Sequence, residues 1–265
     1  MNNLLFQIVA LKKESTNYDY VSILDLPNEI LLKILSYLST RDILGNVAKV
    51  SKKFQKLTQN STLIRKIEVN VNWLRNTGYW NMTHDDFLDV WKRSRGLRSF
   101  NLVFDQLDRD QINLWTKIEK VLPFLDHPVL EEFILGIYQK FTKNEQEFGD
   151  IYKNVLQYLH QCPSLKKVKF YISYGTKPFT VISKLISGFE HKNLTELYLY
   201  AGQILEIEKS SFKKFLEIVV GNFPKLQHLY YGFWDIPNFE YLQIAKKIAS
   251  EKKVQIVIGY GRNID

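Results

Sequence analysis

The chain has 265 residues, of which 45% are apolar, 14% aromatic and 24% charged, and its formal net charge is +8. These proportions describe a globular protein of one or two domains with a substantial core, and they exclude wholesale disorder, collagen-like repeats and a single long coiled coil. No apolar run approaches the roughly 20 residues that a membrane span needs, and a lone cysteine, Cys162, excludes an internal disulfide.

The basic excess is spread thinly along the chain. Residues 1–73 carry 10 Lys/Arg and 6 Asp/Glu, residues 74–265 carry 26 and 22, and no block of five like charges occurs. This pattern favours a moderately basic solvated surface and does not support a nucleic-acid interface. The lone cysteine favours a reducing compartment, so we expect a cytoplasmic or nuclear protein.

Residues 1–20 are predicted to be a lead-in to the first domain. Their apolar stretch lacks the basic region and the small-residue cleavage site of a secretory signal peptide. We expect a disordered or loosely helical segment.

The first organised segment, residues 21–66, is predicted to contain three short helices. Apolar residues recur every four positions from 26 to 38, and Pro27 stands where a first helical residue tolerates a missing N–H. A Ser-Thr pair at 39–40 suits the start of a second helix, and a third runs from about 50 to 59.

This small bundle has more apolar residues than one centre can bury. The surplus predicts a partner surface, either on another protein or on the rest of the chain. The apolar residues at helical spacing are Leu26, Ile30, Leu31, Ile34, Leu35, Leu38, Ile43, Leu44, Val47, Val50, Phe54 and Leu57.

The segment resembles the F-box. The motif is carried by Leu26-Pro27-x-Glu29-Ile30, by Arg41-Asp42 and by Val50-x-x-x-Phe54. Two positions depart from the family pattern, because Ser51-Lys52 replaces a common Cys-Arg and Leu63-Ile64 replaces a common Leu-Trp. The alternative is an unrelated three-helix bundle or cap.

The resemblance implies a partner for the bundle. F-box proteins dock onto the small adaptor subunit of SCF-type cullin–RING ubiquitin ligases, and through it they join the ligase. The adaptor-binding residues that the resemblance implies are Leu26, Pro27, Glu29, Ile30, Ile34, Leu35, Leu38, Ile43, Leu44, Val47, Val50 and Phe54.

A repeated pattern runs through the rest of the chain: an apolar residue, two others, an apolar residue, one other, and an apolar residue. Its copies begin at Ile64, Leu97, Leu130, Leu165, Leu194 and Leu226, and an apolar strand at 254–258 fits more loosely. Helical patterns lie between the copies. Strand, helix and strand at this spacing predict parallel strands joined by right-handed crossovers.

The predicted strands alternate polar and apolar residues, as where Lys167 and Lys169 flank Val168. One face of the sheet is therefore expected to be exposed to solvent, whereas a doubly wound sheet buries both faces. We predict an α/β chain whose residues 67–265 form a horseshoe of parallel strands with helices on the convex side. The units resemble the strand–helix leucine-rich repeats that commonly follow an F-box. A compact doubly wound or other α/β fold is the alternative.

The polar positions of the strands are predicted to face the concave side, and its C-terminal half is aromatic and basic. Tyrosine and tryptophan offer large contact area at a low entropic cost, which favours target recognition. The alternative is that the tyrosines stack only to stabilise the sheet. The predicted target-binding residues are Lys167, Lys169, Tyr171, Glu196, Tyr198, Tyr200, His228, Tyr230 and Trp234.

The sequence carries no motif for a phosphate-binding loop, a zinc protease, a nucleophile elbow or a Cys-x-x-Cys site. Cys162 is expected to be a buried structural thiol, with no companion ligands for a metal nearby. We therefore expect no enzyme, cofactor or metal. The predicted function is substrate recognition within an SCF-type ligase, and an interaction scaffold outside any ligase is the alternative.

Overall fold

The computed structural model describes residues 22–60, 62–70, 88–89, 91–92, 94–104, 118, 120–122, 125–137, 154–172, 178–201, 208–233 and 239–260. The predictions for residues 1–20 and for Trp234 lie outside this set. None of the helices in the described residues is long and apolar enough to cross a membrane.

The N-terminal bundle contains the three predicted helices. Serine caps set two of their starts, because Ser39 Oγ accepts the N–H of Asp42 and Ser51 Oγ accepts the N–H of Phe54. These contacts satisfy N–H groups that a helix start leaves without a partner. The bundle consists of α1 (Asn28–Leu35), α2 (Thr40–Gly45) and α3 (Lys52–Thr58), with 3-10 turns at Ile23–Asp25 and Val47–Lys49.

The rest of the described chain contains one parallel sheet. Its seven strands are hydrogen-bonded in the order of the chain, without the reversal that a doubly wound sheet has. The prediction of an α/β chain with N-terminal helices and a parallel sheet is confirmed. The strands are β1 (Lys66–Asn70), β2 (Ser99–Phe104), β3 (Glu132–Ile137), β4 (Lys167–Ile172), β5 (Glu196–Ala201), β6 (His228–Phe233) and β7 (Gln255–Tyr260).

Helices between the later strands cover one face of the sheet. They are α4 (Pro178–Ser187), α5 (Lys209–Asn222) and α6 (Phe239–Lys252), and residues 154–160 are also helical. Apolar side chains such as Ile182, Phe215 and Ala245 join the strand residues of that face in a single buried cluster. The burial alternates along β4, so the opposite face of the strand is half-exposed.

The predicted repeat matches the register of the sheet, because equivalent positions of successive copies lie opposite each other on neighbouring strands. The first core position forms a row in which Ile67, Phe100, Phe133, Val168, Leu197, Leu229 and Ile256 are paired strand to strand.

The strand entries repeat one backbone arrangement. The N–H groups of Arg98 and Ser99 both donate to the carbonyl of Arg65, at 2.7 and 3.0 Å. The same double contact recurs at the starts of β3, β4, β5 and β6. The apolar pattern that recurs within each copy therefore reflects the same backbone arrangement at each strand entry.

The bundle lies against the first strand of the sheet. The hydroxyl of Thr40 donates to the carbonyl of Lys66, and Leu44 packs against the buried cluster of the sheet. Ile67 on β1 is accordingly buried.

Two buried histidines link the turns that precede the strands. His127 Nε2 donates to the carbonyl of Trp91 at 3.0 Å, and because burial favours the neutral ring, Nδ1 accepts the hydroxyl of Tyr158 at 2.7 Å. His191 Nε2 likewise donates to the carbonyl of Cys162 at 3.1 Å, while Nδ1 accepts the N–H of Asn193. Both rings are thus held in the neutral form.

Burial lowers the pKa of His127 and of His191 below the usual 6.5. The hydrogen bonds to the carbonyls of Trp91 and Cys162 oppose this effect but are weaker than it. As the pH falls below 6.5, the histidine rings of the unfolded chain take up protons before those of the folded chain. The free energy of unfolding is therefore higher above pH 6.5 and decreases as the pH falls below that value.

We expect the urea midpoint to be lower at about pH 5 than at about pH 7.5. The double variant His127→Gln, His191→Gln should show a smaller pH dependence, and an equal dependence would contradict this assignment.

Candidate protein-interaction sites

Four large apolar or aromatic side chains of the bundle are exposed. Ile30 and Ile34 lie one turn apart on α1 with 46% and 40% of their surface exposed, Tyr37 follows at 80%, and Val50 precedes α3 at 59%. Residues at i and i+4 share one side of a helix, so the two isoleucines present a common surface. We call these four residues the exposed apolar set.

The structure divides the predicted adaptor-binding residues into two groups. Leu35, Ile43, Val47 and Phe54 are buried in the centre of the bundle, together with Leu31. These side chains hold the helices together and do not offer surface to a partner.

The remaining predicted residues are accessible. Leu26, Leu38 and Leu44 are half-buried, whereas Pro27 and Glu29 are exposed, as are three members of the exposed apolar set. Tyr37, the fourth member, was missed by the sequence prediction. Its position three residues after Ile34 was the available signal.

Lys53 fixes the segment that enters α1. Its Nζ donates to the carbonyl of Leu24 at 2.6 Å and to that of Leu26 at 3.0 Å. A lysine on α3 thereby satisfies two carbonyls that lie 29 and 27 residues earlier in the chain. No sequence signal separates Lys53 from its exposed neighbour Lys52.

We expect Lys53→Met to lower the free energy of unfolding by about 1–3 kcal/mol, because charge-assisted hydrogen bonds are lost and two carbonyls are left without a partner. The Leu26-Pro27 segment would also lose its anchor. Urea denaturation measures the effect, and Lys52→Met is the matched control at an exposed position. Equal stability of the two variants would show that the Lys53 contacts contribute nothing.

The second candidate surface lies on the half-exposed face of the sheet. The strand pairing arranges its side chains in three successive rows. The first row contains Lys167, Glu196 and His228, the second contains Lys169, Tyr198 and Tyr230, and the third contains Tyr171 and Tyr200. We call these eight residues the tyrosine–lysine face. The sheet brings together every predicted target-binding residue that the structure describes.

Tyr198 is the centre of this face. Its ring lies parallel to that of Tyr230, with centroids 4.4 Å apart and planes 5° apart. The ammonium groups of Lys167 and Lys169 each lie 5.0 Å from the Tyr198 centroid. Two cations over one aromatic ring form an ordered contact surface in which charged and aromatic groups alternate.

Burial raises the pKa of Tyr198, and a hydrogen bond to Glu196 raises it further. The hydroxyl therefore stays protonated at neutral pH and donates to Glu196 Oε2 at 3.1 Å. This bond fixes the ring that lies beneath the two lysines.

A polar row borders the same rings. Lys167 Nζ lies 3.2 Å from Glu196 and 3.9 Å from Glu132, and Ser99 Oγ donates to Glu132 at 2.9 Å. The row restrains these side chains before any partner binds, which lowers the entropic cost of binding.

The tyrosines differ in exposure. Tyr200 is buried with 3% of its surface exposed and lies 6.2 Å from the Tyr171 ring, whereas Tyr171, Tyr198 and Tyr230 are half-exposed. Cross-strand stacking therefore occurs. Recognition stays a prediction for the half-exposed rings, while burial leaves Tyr200 little surface for a partner.

The described residues contain no group of three or more His, Cys, Asp or Glu side chains that could hold a metal ion. Cys162 is buried, as predicted, and burial raises the pKa of its thiol to about 12. A thiol with this pKa is protonated at neutral pH and is a poor nucleophile.

Comparison with known families identifies the bundle. Residues 23–69 match the F-box-like family. The match spans α1 to α3 and reaches into β1, close to the predicted segment 21–66. The prediction of an F-box is confirmed. No curated protein matches the chain as a whole.

F-box domains generally bind the small adaptor subunit of SCF-type ligases. The F-box-like domain of this chain therefore has a protein-binding role, and the exposed apolar set is the part of it with the most accessible apolar surface. Lys53 belongs to the same domain and holds its opening segment, Leu26-Pro27, in place.

Proposed function

We propose that this protein is a substrate-recognition subunit of an SCF-type cullin–RING ubiquitin ligase. The F-box-like domain would dock onto the adaptor, and the tyrosine–lysine face would hold a target protein. The observation that carries the proposal is the F-box-like domain at residues 23–69, whose exposed apolar set is available to a partner. We expect the protein to work in the cytoplasm or the nucleus, as an interaction subunit and not as an enzyme.

The proposal includes a leucine-rich-repeat-like solenoid over residues 67–265. Chain-order pairing of the strands and the repeated backbone contacts at their entries support it. Strands lie about 4.8 Å apart and packed helices 8–10 Å apart, so helices on one face alone bend the sheet. The tyrosine–lysine face would then line the concave side.

The mechanism is proximity. A target held on the solenoid and an adaptor held on the F-box-like domain would be joined within one rigid subunit. Lysines of the target would then meet the ubiquitin-charged enzyme at a raised effective concentration. In this mechanism the chain contributes binding and orientation, and it requires no cofactor.

The chemistry of the face suggests the class of target. Lys167 and Lys169 lie above the ring of Tyr198, where Glu196 and Glu132 pair with Lys167, and the half-exposed rings of Tyr198 and Tyr230 offer aromatic surface. We propose a protein segment that carries both acidic and apolar side chains.

Target capture can be tested with Tyr198→Ala, Tyr230→Ala. Proximity labelling in cells, with the proteasome blocked, should recover proteins with the wild type that the double variant loses, since the variant removes the stacked rings. Adaptor binding and the melting temperature check that the variant is folded, and Gln227→Ala is a control at an exposed residue that precedes β6. Unchanged capture by a folded double variant would exclude this face.

The alternative is an interaction scaffold that works outside a ligase. It is favoured by the contact between Thr40 and Lys66 and by the packing of Leu44, since these give the bundle a role as a cover for β1. Adaptor binding discriminates, because a scaffold whose bundle is only a cover would not bind the adaptor.

A further inference from the structure

The last strand of the sheet has an open edge. β7 pairs with β6 on one side, and no described segment is hydrogen-bonded to its other side. The N–H of Gln255 donates to the carbonyl of Gln227, toward β6. Because backbone groups alternate in direction along a strand, the N–H and C=O groups of Ile256, Ile258 and Tyr260 point to the open edge.

The apolar core is also incompletely covered at this end. Ile256 and Ile258 occupy the positions that Leu229 and Tyr231 occupy on β6. The two β6 residues are fully buried, whereas both isoleucines are only half-buried against the same cluster. Within the part of the chain that the structure describes, a row of backbone groups without a strand partner therefore lies beside two half-buried isoleucines.

β7 lacks the features that protect an edge strand. It contains no charged residue and no proline, whereas β1 at the other edge contains Lys66 and Glu68. At the β1 end, Thr40 of the bundle donates to the outward-pointing carbonyl of Lys66, and Leu44 packs against the buried cluster. Head-to-tail pairing of β7 with β1 of another copy is thus disfavoured by charge and by the bundle.

We propose that β7 is a dimerisation strand that pairs antiparallel with β7 of a second copy of this chain. Two uncharged strands meet without like charges, and a two-fold axis perpendicular to the sheet keeps the polar faces of both copies on one side. Because the opposite ends are covered, the assembly closes as a dimer and does not grow into a filament.

The alternation along β7 determines the register. In an antiparallel pair, residues that lie directly opposite each other have their side chains on the same face of the sheet. Residues whose N–H and C=O groups point to the open edge must therefore lie opposite such residues of the other strand, so that the two exchange hydrogen bonds. Two registers meet this condition and each pairs five residues of β7. The one that pairs isoleucine with isoleucine at both positions places Ile256 opposite the partner subunit's Ile258 and Val257 opposite the partner subunit's Val257. The half-buried isoleucines would then cover each other.

Disulfide trapping tests this register. Facing residues of a non-hydrogen-bonded pair have Cα atoms about 4.5–5.5 Å apart, within the range that a disulfide spans. We expect Val257→Cys to form a covalent dimer under mild copper–phenanthroline oxidation. The native Cys162 is buried and provides a clean background, and Gln227→Cys is the control at an exposed position away from the edge.

Light scattering on the full chain gives the second measurement. The wild type should be a dimer, Val257→Thr should remain one, and Val257→Lys should raise the dimer dissociation constant about 10-fold or more because two lysines meet at the axis. Circular dichroism checks that each variant is folded. A monomeric wild type at its highest soluble concentration, or a Val257→Cys chain that gives no covalent dimer, would overturn the proposal.

Discussion

Replacing Ile34 and Val50 with glutamate is expected to lower the affinity of the chain for the SCF adaptor about 100-fold or more. Both side chains are exposed in the free chain, so the new carboxylates remain hydrated and the F-box-like domain stays folded. In the complex the same carboxylates would be buried without partners. An uncompensated buried charge costs several kcal/mol, and about 1.4 kcal/mol corresponds to a tenfold change in affinity.

Isothermal titration with purified adaptor measures this loss. Gln55→Glu, Gln59→Glu is a matched control, since it adds the same charge at two exposed positions on or next to α3. If both double variants bind as tightly as the wild type, the exposed apolar set is not the docking surface. If the wild type itself does not bind the adaptor, the ligase proposal fails and the scaffold alternative stands.

Phe170→Ala is expected to lower the free energy of unfolding by about 3–5 kcal/mol. Phe170 is fully buried on β4, so the substitution removes a large apolar group and leaves a cavity under the sheet. Natural domains are stable by about 5–15 kcal/mol, so this variant should lose a large part of its stability.

The neighbouring residue provides the control for Phe170. Tyr171→Ala removes an aromatic ring of similar size from the opposite, half-exposed face of the same strand, and we expect it to cost about 1 kcal/mol or less. Urea denaturation of the two variants compares the faces directly. Equal losses would contradict a sheet that buries only one face.

The adaptor and target variants separate the two halves of the proposed function. The exposed apolar set belongs to the F-box-like domain, whereas the tyrosine–lysine face lies on β4 to β6. We expect Ile34→Glu, Val50→Glu to retain target capture and Tyr198→Ala, Tyr230→Ala to retain adaptor binding. The dimer proposed for β7 depends on neither function, so it can fail or succeed independently.

The order of the elements and the register of the sheet follow from local sequence patterns. Periods of 3.6 and 2 are local properties of helices and strands, and a fixed pattern such as Leu130-x-x-Phe133-x-Leu135 places the same residues on the same face in each copy. The Leu-Pro-x-Glu-Ile opening likewise indicates the F-box from the residues alone.

Which members of each pattern are accessible depends on how the elements pack together. Ile34 and Leu35 are adjacent and equally apolar, yet one is exposed and the other buried, because burial depends on which helix lies against α1. Tyr200 is buried while Tyr198 is half-exposed. The contacts of Lys53 and the open edge of β7 were equally invisible in the sequence, since both depend on segments distant in the chain meeting, or failing to meet, in space.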